Sequence, residues 1–346
     1  MKNAITFITR RCPRECDYCA IRDAKGIGPE LTADQWKEAF SIYADLGVNF
    51  NLILGNEPWL LGDRLIDIFK DTKVPYAIYT TCPEPLFSKY REKMFDTIDN
   101  LSCGLDFPSS YLEEQLRCQG GVFNDDIEQK SWAAWQGFKW VKEHRPDVDC
   151  HAAITMHKKN LAYIPELIDE LSAMGIFSIL NVVHWNIDGK YDFFPKKEEL
   201  QELVIPDTPE MVEYVQKMFD KILEKPGLLQ NPEMLRMPVA DMLGLKWHCK
   251  GDPTGGPNVD SDGRLRVCGY RRGTETPKLS IFDLPEHLDE WKAAVEADAE
   301  ECPGCAWSCS WMYQYWNRED EVLGKKVFRQ HAGKHIPEEK WSKRRV

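Results

Sequence analysis

No stretch of this 346-residue chain is apolar for long enough to cross a bilayer. Residues 1–8 read as a short strand, with neither the h-region nor the small-residue cleavage site of a secretory signal. Positive charge is in deficit: 44 Lys and Arg face 56 Asp and Glu, a net charge of −12, which argues against a nucleic-acid partner held through a broad phosphate footprint. No exact internal repeat or low-complexity segment is visible. These absences lead to the expectation of a cytoplasmic protein that engages neither membrane nor nucleic acid. Cysteine, by contrast, is plentiful. Twelve cysteines without a secretory signal point to metal or redox chemistry in a reducing compartment. With 43% apolar residues the chain has ample material for a large core.

Short β-rich runs alternate with helical patterns along the first two thirds of the chain. Strands are expected at 4–9, 50–54, 74–81, 100–107, 149–156 and 177–185. Helices are expected at 32–46, 61–70, 85–95, 127–144, 161–174 and 209–224. The first helix carries the clearest start signal, Thr32 as N-cap with Gln35 at the capping-box position, and Gly47 marks its end. Six βα units imply a parallel sheet with crossover helices, and periodicity alone does not separate an open sheet from a barrel. Beyond residue 226 Pro-Gly and Asn-Pro breaks dissolve the alternation. The expected division is therefore 1–235, 236–316 and a C-terminal helix with basic tail at 317–346.

Directly after the first expected strand come Cys12, Cys16 and Cys19, spaced C-x3-C-x2-C. Three thiolates on one loop hold three corners of a [4Fe–4S] cube and leave the fourth iron open to a ligand, whereas a structural cluster usually takes four cysteines. A zinc site would need a fourth ligand, and Asp17 is too tightly placed to close a tetrahedron easily. The arrangement resembles the radical S-adenosylmethionine (radical SAM) superfamily. That resemblance implies a partial (β/α)6 TIM-like barrel, SAM chelated at the open iron, and its reductive cleavage to a 5′-deoxyadenosyl radical that takes hydrogen from a substrate. It also implies a reductant such as flavodoxin or ferredoxin. Arg10, Arg11, Arg14, Arg22 and Lys25 crowd the loop, where they either offset thiolate and SAM carboxylate charge or simply keep it solvated.

Further positions follow from the resemblance. Tyr18 matches the aromatic residue near the adenine. Gly55-Asn56-Glu57-Pro58, after the second strand, is similar to the Gly-Gly-Glu-Pro motif that approaches the SAM amino group, with Asn56 in place of the second glycine. Asp106 matches the acidic residue ending the fourth strand, near SAM or substrate, and Thr155 and Asn181 are further expected SAM contacts. Thr155 shares a strand face with His151, an orientation that points both into the barrel. Asn181 and His184 would lie on opposite faces of a regular sixth strand. Cys103 and Cys150 lie on strands and are candidate hydrogen donors if either faces the cavity.

Near the C-terminus Cys249 is followed by thirteen residues, Gly263, four residues and Cys268; then come Cys302, Cys305 and Cys309. Residues 260–263 read as a hairpin turn that brings the first two thiols together. The pattern is similar to the twitch form of the SPASM/twitch extensions, a small cysteine-rich α+β domain. This implies one auxiliary [4Fe–4S] cluster on Cys249, Cys268, Cys302 and Cys305, with Cys309 as an alternative; a zinc ribbon uses the same number of thiols. The segment from Trp307 to Trp316 is expected to pack between that domain and the barrel.

The leading expectation is an enzyme of oxidoreductase or isomerase type performing redox or epimerisation chemistry on a small polar metabolite, with the auxiliary cluster relaying an electron. Modification of a peptide or protein, by crosslinking or epimerisation, is the alternative. It is disfavoured because the first motif begins at residue 12 and leaves no room ahead of it for a leader-recognition domain. A non-enzymatic iron–sulfur or zinc protein would leave the βα array unexplained.

Overall fold

The computed structural model of the chain describes residues 3–19, 28–98, 100–187, 194–248, 256–268 and 278–308. Six strands pair in parallel and in chain order: β1 (Asn3–Phe7), β2 (Phe50–Leu54), β3 (Tyr76–Thr80), β4 (Asn100–Gly104), β5 (Asp149–Met156) and β6 (Phe177–Val182). The crossovers carry α1 (Ala33–Asp45), α2 (Asp63–Phe69), α3 (Leu86–Phe95), α4 (Ser109–Cys118) with α5 (Asp126–His144), and α6 (Ile164–Ala173). After β6 come α7 (Pro209–Glu224), α8 (Val239–Leu243) and α9 (Leu288–Glu300). The six expected strands and six expected helices are found, several of them shorter than expected, while the expected C-terminal helix lies outside the described residues. Sequence reading missed α4, α8 and α9.

The register explains how the sheet encloses a site. Leu52 lies opposite both Ile5 and Ala77, and Ser102 opposite both Tyr79 and His151. Side chains alternate along a strand, so this in-step pairing turns one parity of every strand to the same face. From β1 to β6, residues of that parity (Phe7, Leu52, Tyr79, Ser102, His151 and Asn181 among them) line a single cavity. One sheet face wrapped around one cavity is a partial barrel. It does not close, because β6 and β8 (Leu265–Arg266) are the ends of the strand order.

The other parity packs against the helices. Thr6 hydrogen-bonds Tyr43 of α1 at 3.0 Å and Asn51 at 2.9 Å, and Phe69 of α2 stacks on Tyr76 with ring centroids 4.2 Å apart. Trp36, Trp59, Phe87, Phe95, Trp135 and Phe138 are fully buried in this layer. Burial of each is worth about 1.5–3 kcal/mol or more, which makes the helical shell the main stabilising layer. The expected capping box is present: Thr32 accepts from the Gln35 amide nitrogen, and the Gln35 side chain accepts from the Thr32 nitrogen.

The C-terminal hairpin continues the barrel sheet past residue 235. β7 (Asn258–Val259) pairs in parallel with β1, and β8 pairs antiparallel with β7 around the expected turn. A buried ion cluster fixes this junction. Asp260 pairs with both Arg10, at the end of β1, and Arg266, and the two guanidinium groups lie on Phe7 at 5.5 and 5.9 Å. Residues 317–346 lie outside the described residues. Removing one member of a buried charge cluster leaves the others uncompensated. Asp260→Ala is expected to lower the unfolding free energy by about 3–5 kcal/mol. Adding Arg266→Met should restore part of the loss, both read from urea denaturation.

Candidate active site

The parallel pairing of β1 and β2 runs on beyond the strands. Ile8 N donates to Leu54 O at 3.0 Å, Asn56 N to Thr9 O at 3.2 Å and Glu57 N to Arg11 O at 2.8 Å. The Asn56 side-chain amide donates to Arg10 O at 2.9 Å. Gly55 sits at φ +137°, and a Cβ there would stand 3.0 Å from Thr9 O, so only glycine lets the two segments approach this closely. The cysteine loop therefore leaves β1 already fastened to the turn after β2. Its far side rests on the start of α5: Glu15 N donates to Asp126 Oδ2 at 2.8 Å, and Cys19 N donates to Cys16 O at 3.0 Å within the loop.

Cys12, Cys16 and Cys19 line a cavity of about 220 Å³ together with Tyr18, Gly55, Asn56, Thr155 and Asn181. Burial pushes the Cys16 thiol up to about 11, with Lys130 pulling it the other way. Among the described residues no three His, Cys, Asp or Glu side chains converge on a single metal ion. Three thiols lining one cavity suit ligands to separate irons of a cluster.

Beside the thiols lies a buried triad. Lys130 Nζ is 2.6 Å from Asp106 Oδ2, and Tyr18 hydrogen-bonds both. The Lys130 and Asp106 side chains are 8% and 0% exposed. Burial opposes the lysine's charge, but Asp106 and the neighbouring thiols outweigh it and hold its pKa above the ordinary value. Burial, and then Asp106, holds the Tyr18 phenol well above its usual range. Asp106 Oδ1 accepts from Thr155 N at 2.7 Å, and Asp106 N donates to Ser131 Oγ at 3.0 Å. Asp106 is thus behind the cavity wall, gripping Tyr18 and Lys130, which form it. Sequence reading missed Lys130, whose place in a helix otherwise notable for tryptophans gave no signal.

Glu57 is likewise set back from the cavity. Its carboxylate accepts from Thr80 Oγ1 at 2.7 Å, Thr81 Oγ1 at 2.6 Å, Thr81 N at 2.8 Å and Trp59 N at 3.2 Å. Burial raises its pKa against the pull of these four donors. The geometry makes Glu57 a peg between the ends of β2 and β3, where the resemblance implied a partner for the SAM amino group. Asn56 does line the cavity, and its Oδ1 is buried without a hydrogen-bond partner. It is an acceptor available to an incoming ammonium.

The cavity face formed by β3, β4 and β5 carries uncharged polar side chains among apolar ones. His151 Nε2 accepts from Asn100 Nδ2 at 2.8 Å, and Nδ1 donates to Gln230 Oε1 at 3.0 Å. The ring stacks on Phe177 with centroids 5.1 Å apart. Desolvation pushes His151 down to about 4, and His157, behind Tyr18, also to about 4. The alternating polar residues Tyr79, Asn100, Ser102, His151 and Thr155 were the sequence signal for this face. Only His151 and Thr155 were singled out.

The wall at β6 comes from the C-terminal segment. Asn181 Oδ1 accepts from Ser308 N at 3.0 Å and from Ser308 Oγ at 2.5 Å, and His184 Nε2 accepts from Ala306 N at 3.0 Å. Trp307 packs edge-on to His184 at 4.8 Å and lines the cavity. Asn181 and His184 both face inward, contrary to strict alternation, because β6 ends at Val182. Trp307 packs against the barrel as expected; residues 309–316 lie outside the described residues.

Two expectations are corrected. Cys103 and Cys150 do not face the cavity: they have the opposite parity to Ser102 and His151. Both thiols are fully buried against the helical side, where Cys103 Sγ is 3.5 Å from Cys82 Sγ. The basic residues of the loop do not act as one group. Arg10 pairs with Asp260, Arg11 with Glu30 at 2.9 Å, and only Arg14 lines the cavity, while Arg22 and Lys25 lie outside the described residues. Of the C-terminal cysteines, Cys268, Cys302 and Cys305 are half-buried, and Cys249 and Cys309 lie outside the described residues. The chain just before Cys249 is joined to the 302–305 segment: Trp247 and Cys305 exchange backbone hydrogen bonds, and His248 Nδ1 meets Cys302 O at 3.0 Å.

The residues present fit a three-thiolate cluster with a small charged ligand. They supply three thiols on one wall, buried and loop cations beside them, a glycine cradle and an unpartnered buried acceptor. Comparison with known proteins agrees. Residues 6–171 match the family model of the Radical SAM superfamily. The chain is 27% identical over 201 residues to a PqqA peptide cyclase of Bradyrhizobium diazoefficiens, covering 56% of this chain and 50% of that protein. The match thus spans about half the length of this relative. Among solved structures, Streptococcus suis SuiB bound to precursor peptide SuiA aligns with a TM-score of 0.58 at 15% identity, over 89% of this chain and 70% of that one. The structure of anSMEcpe with bound AdoMet aligns with a TM-score of 0.51 at 15% identity, over 99% and 98%. At these identities the likeness is one of fold.

The buried neutral His151 makes stability depend on pH. An unfolded histidine titrates near 6.5, so between about 6.5 and about 4 the unfolded chain binds a proton that the folded chain refuses. The stability present above 6.5 is lost as pH falls through this window. The urea midpoint should fall between pH 7.5 and 5, and less so in His151→Gln. An equal fall in the variant would remove His151 as a source.

Proposed function

We propose, from the match of residues 6–171 to the Radical SAM superfamily model, that the chain generates a radical at Cys12, Cys16 and Cys19 and uses it on a polar, uncharged substrate group. The observation that carries the reading is the convergence of the three thiols and Asn56 on one cavity. When bound, a [4Fe–4S] cluster and SAM supply the electron and the 5′-deoxyadenosyl radical that takes hydrogen from a substrate carbon.

The protein's part is binding, orientation and exclusion of water. Cys12, Cys16 and Cys19 would ligate three irons. Asn56 and Gly55 would receive the amino-acid end of SAM, and Tyr18, held by Lys130 and Asp106, would form the adjoining wall. Phe7, Phe50, Leu52 and Leu54 make the β1–β2 side apolar, a surface that keeps water away from a reactive intermediate. Tyr79, Asn100 and Ser102 present hydroxyl and amide groups to the cavity, while the His151 imidazole is held between Asn100 and Gln230. His151 is fixed as a neutral hydrogen-bonding group and is not poised as a general base at neutral pH.

A peptide side chain is the first reading for the substrate group, supported by the PqqA peptide cyclase relative and by the fold shared with peptide-bound SuiB. A small polar metabolite undergoing redox or epimerisation chemistry is the second, supported by the uncharged polar side chains of the β3–β5 face. The proposal includes an auxiliary cluster on Cys249, Cys268, Cys302 and Cys305, or Cys309 in place of one of the last two. Its support is the cysteine spacing and the pairing of Trp247 and His248 with the 302–305 segment. Cytoplasmic location and a flavodoxin- or ferredoxin-class reductant complete it. Among the described residues no helix is long and apolar enough to cross a membrane.

Anaerobically reconstituted and reduced protein should convert SAM to 5′-deoxyadenosine, and Cys12→Ala should reduce the yield to background. Equal yields in the two would overturn the radical reading. Iron analysis should give about eight irons per chain if both clusters are bound, and about four would reject the second. Transfer of deuterium from a labelled peptide into 5′-deoxyadenosine would support the first substrate reading; transfer only from a labelled small polyol or amino sugar would favour the second.

A further inference from the structure

We propose that Lys130 is a positioning residue that sets the reduction potential of the radical site, its ammonium held at the cavity wall by Asp106 and Tyr18 so as to stabilise the electron added to the cluster. The inference rests on the function proposed above, since it needs a cluster on Cys12, Cys16 and Cys19.

The placement of the charge carries the argument. Lys130 lines the same cavity as the three thiols, whereas its partner Asp106 does not. The pair is therefore a buried dipole with its positive end toward the cluster position. The carboxylate end is tied back by Thr155 N at 2.7 Å. Space for the ammonium is provided by Gly104, where a Cβ would stand 3.2 Å from Lys130 Nζ and 2.8 Å from the Tyr79 hydroxyl. Tyr18 carries the lock into the cysteine loop, its hydroxyl bonded to Lys130 and Asp106 and its ring 4.9 Å below the ammonium. Being buried, the ammonium is poorly screened by water and salt.

A cluster held by three thiolates is anionic, and reduction by one electron from an external low-potential donor adds a further negative charge without making or breaking a bond. A fixed cation at the wall favours the reduced form, and its carboxylate partner moderates the effect. Two substitutions should therefore act in opposite directions. Lys130→Met should shift the midpoint to lower potential, so that the ratio of reduced to oxidised cluster at the wild-type midpoint falls several-fold. Asp106→Asn should shift it to higher potential. Lys130→Arg, which keeps the charge, should stay close to wild type.

The experiment is an anaerobic redox titration of the reconstituted full-length protein, followed by the EPR signal of the reduced cluster, with SAM absent. Opposite shifts support the inference, because general loosening of the site would move both variants the same way. A Lys130→Met midpoint at or above wild type, or an Asp106→Asn midpoint at or below it, overturns it. If Lys130→Met takes up no iron, the sign of the Asp106→Asn shift decides alone. A wild type with no reducible cluster overturns the radical reading itself, and this inference with it.

Discussion

The site depends first on the hydrogen bonds that extend β1–β2 pairing past both strands. Without them the cysteine loop would be a free excursion of chain between β1 and α1. With them, residues 8–11 are fixed against 54–57, and the loop enters the cavity at a defined height. The pairing needs a residue without a side chain at position 55, because a Cβ would press on the Thr9 backbone. It also needs the turn after β2 to be held from behind, which Glu57 does by accepting from four donors on Thr80, Thr81 and Trp59. Gly55, Asn56 and Glu57 therefore divide the work: close approach, contact with the cavity, and anchorage. In this chain the carboxylate is the anchor.

Two buried charge clusters flank the loop and act differently. Arg10, Asp260 and Arg266 join the β1 end to the C-terminal hairpin, with one carboxylate serving two guanidinium groups that also lie on Phe7. Buried charge of this kind is weak as net stabilisation but severe when incomplete, so it enforces one docking of the hairpin. Lys130 and Tyr18 instead face the cavity, with Asp106 held behind them, so the charge presented is asymmetric. The first cluster shapes the site, and the second sets the electrostatic environment of whatever the thiols bind.

The strands and their order were legible because each carried an apolar run bounded by turn residues, and the helix at Thr32 announced itself through its cap. The cysteine loop was legible because three thiols at fixed spacing on one loop have few other uses. What misled was parity. Cys150 stands next to His151, so the inward reading of His151 already sent the Cys150 thiol to the helices; Cys103, one residue from Ser102, follows in the same way through the register. Asn181 and His184 escaped that rule because β6 stops at Val182, and strand ends are not fixed by alternation. Lys130 was invisible for another reason. It becomes part of the site only through contacts with residues 24 and 112 positions away, which no local pattern records.

The last wall of the cavity bears on specificity. Residues 6–171 match the shared family pattern, yet Asn181, His184, Phe194 and Trp307 all lie beyond that span and all face the cavity. Asn181 and His184 do not hold the cavity contents directly through their acceptor atoms, since these are taken by Ser308 and by the Ala306 nitrogen. Their effect is to seat the segment after Cys305 against the open side of the barrel, so that Trp307 becomes cavity surface. The part of the fold that starts the proposed chemistry and the part that encloses the substrate thus come from different regions of the chain. A change in the C-terminal segment reshapes the cavity without touching the cysteine loop. That separation leaves the cysteine loop and the wall at the seam between β6 and residues 305–308 as two parts of the cavity that can vary independently.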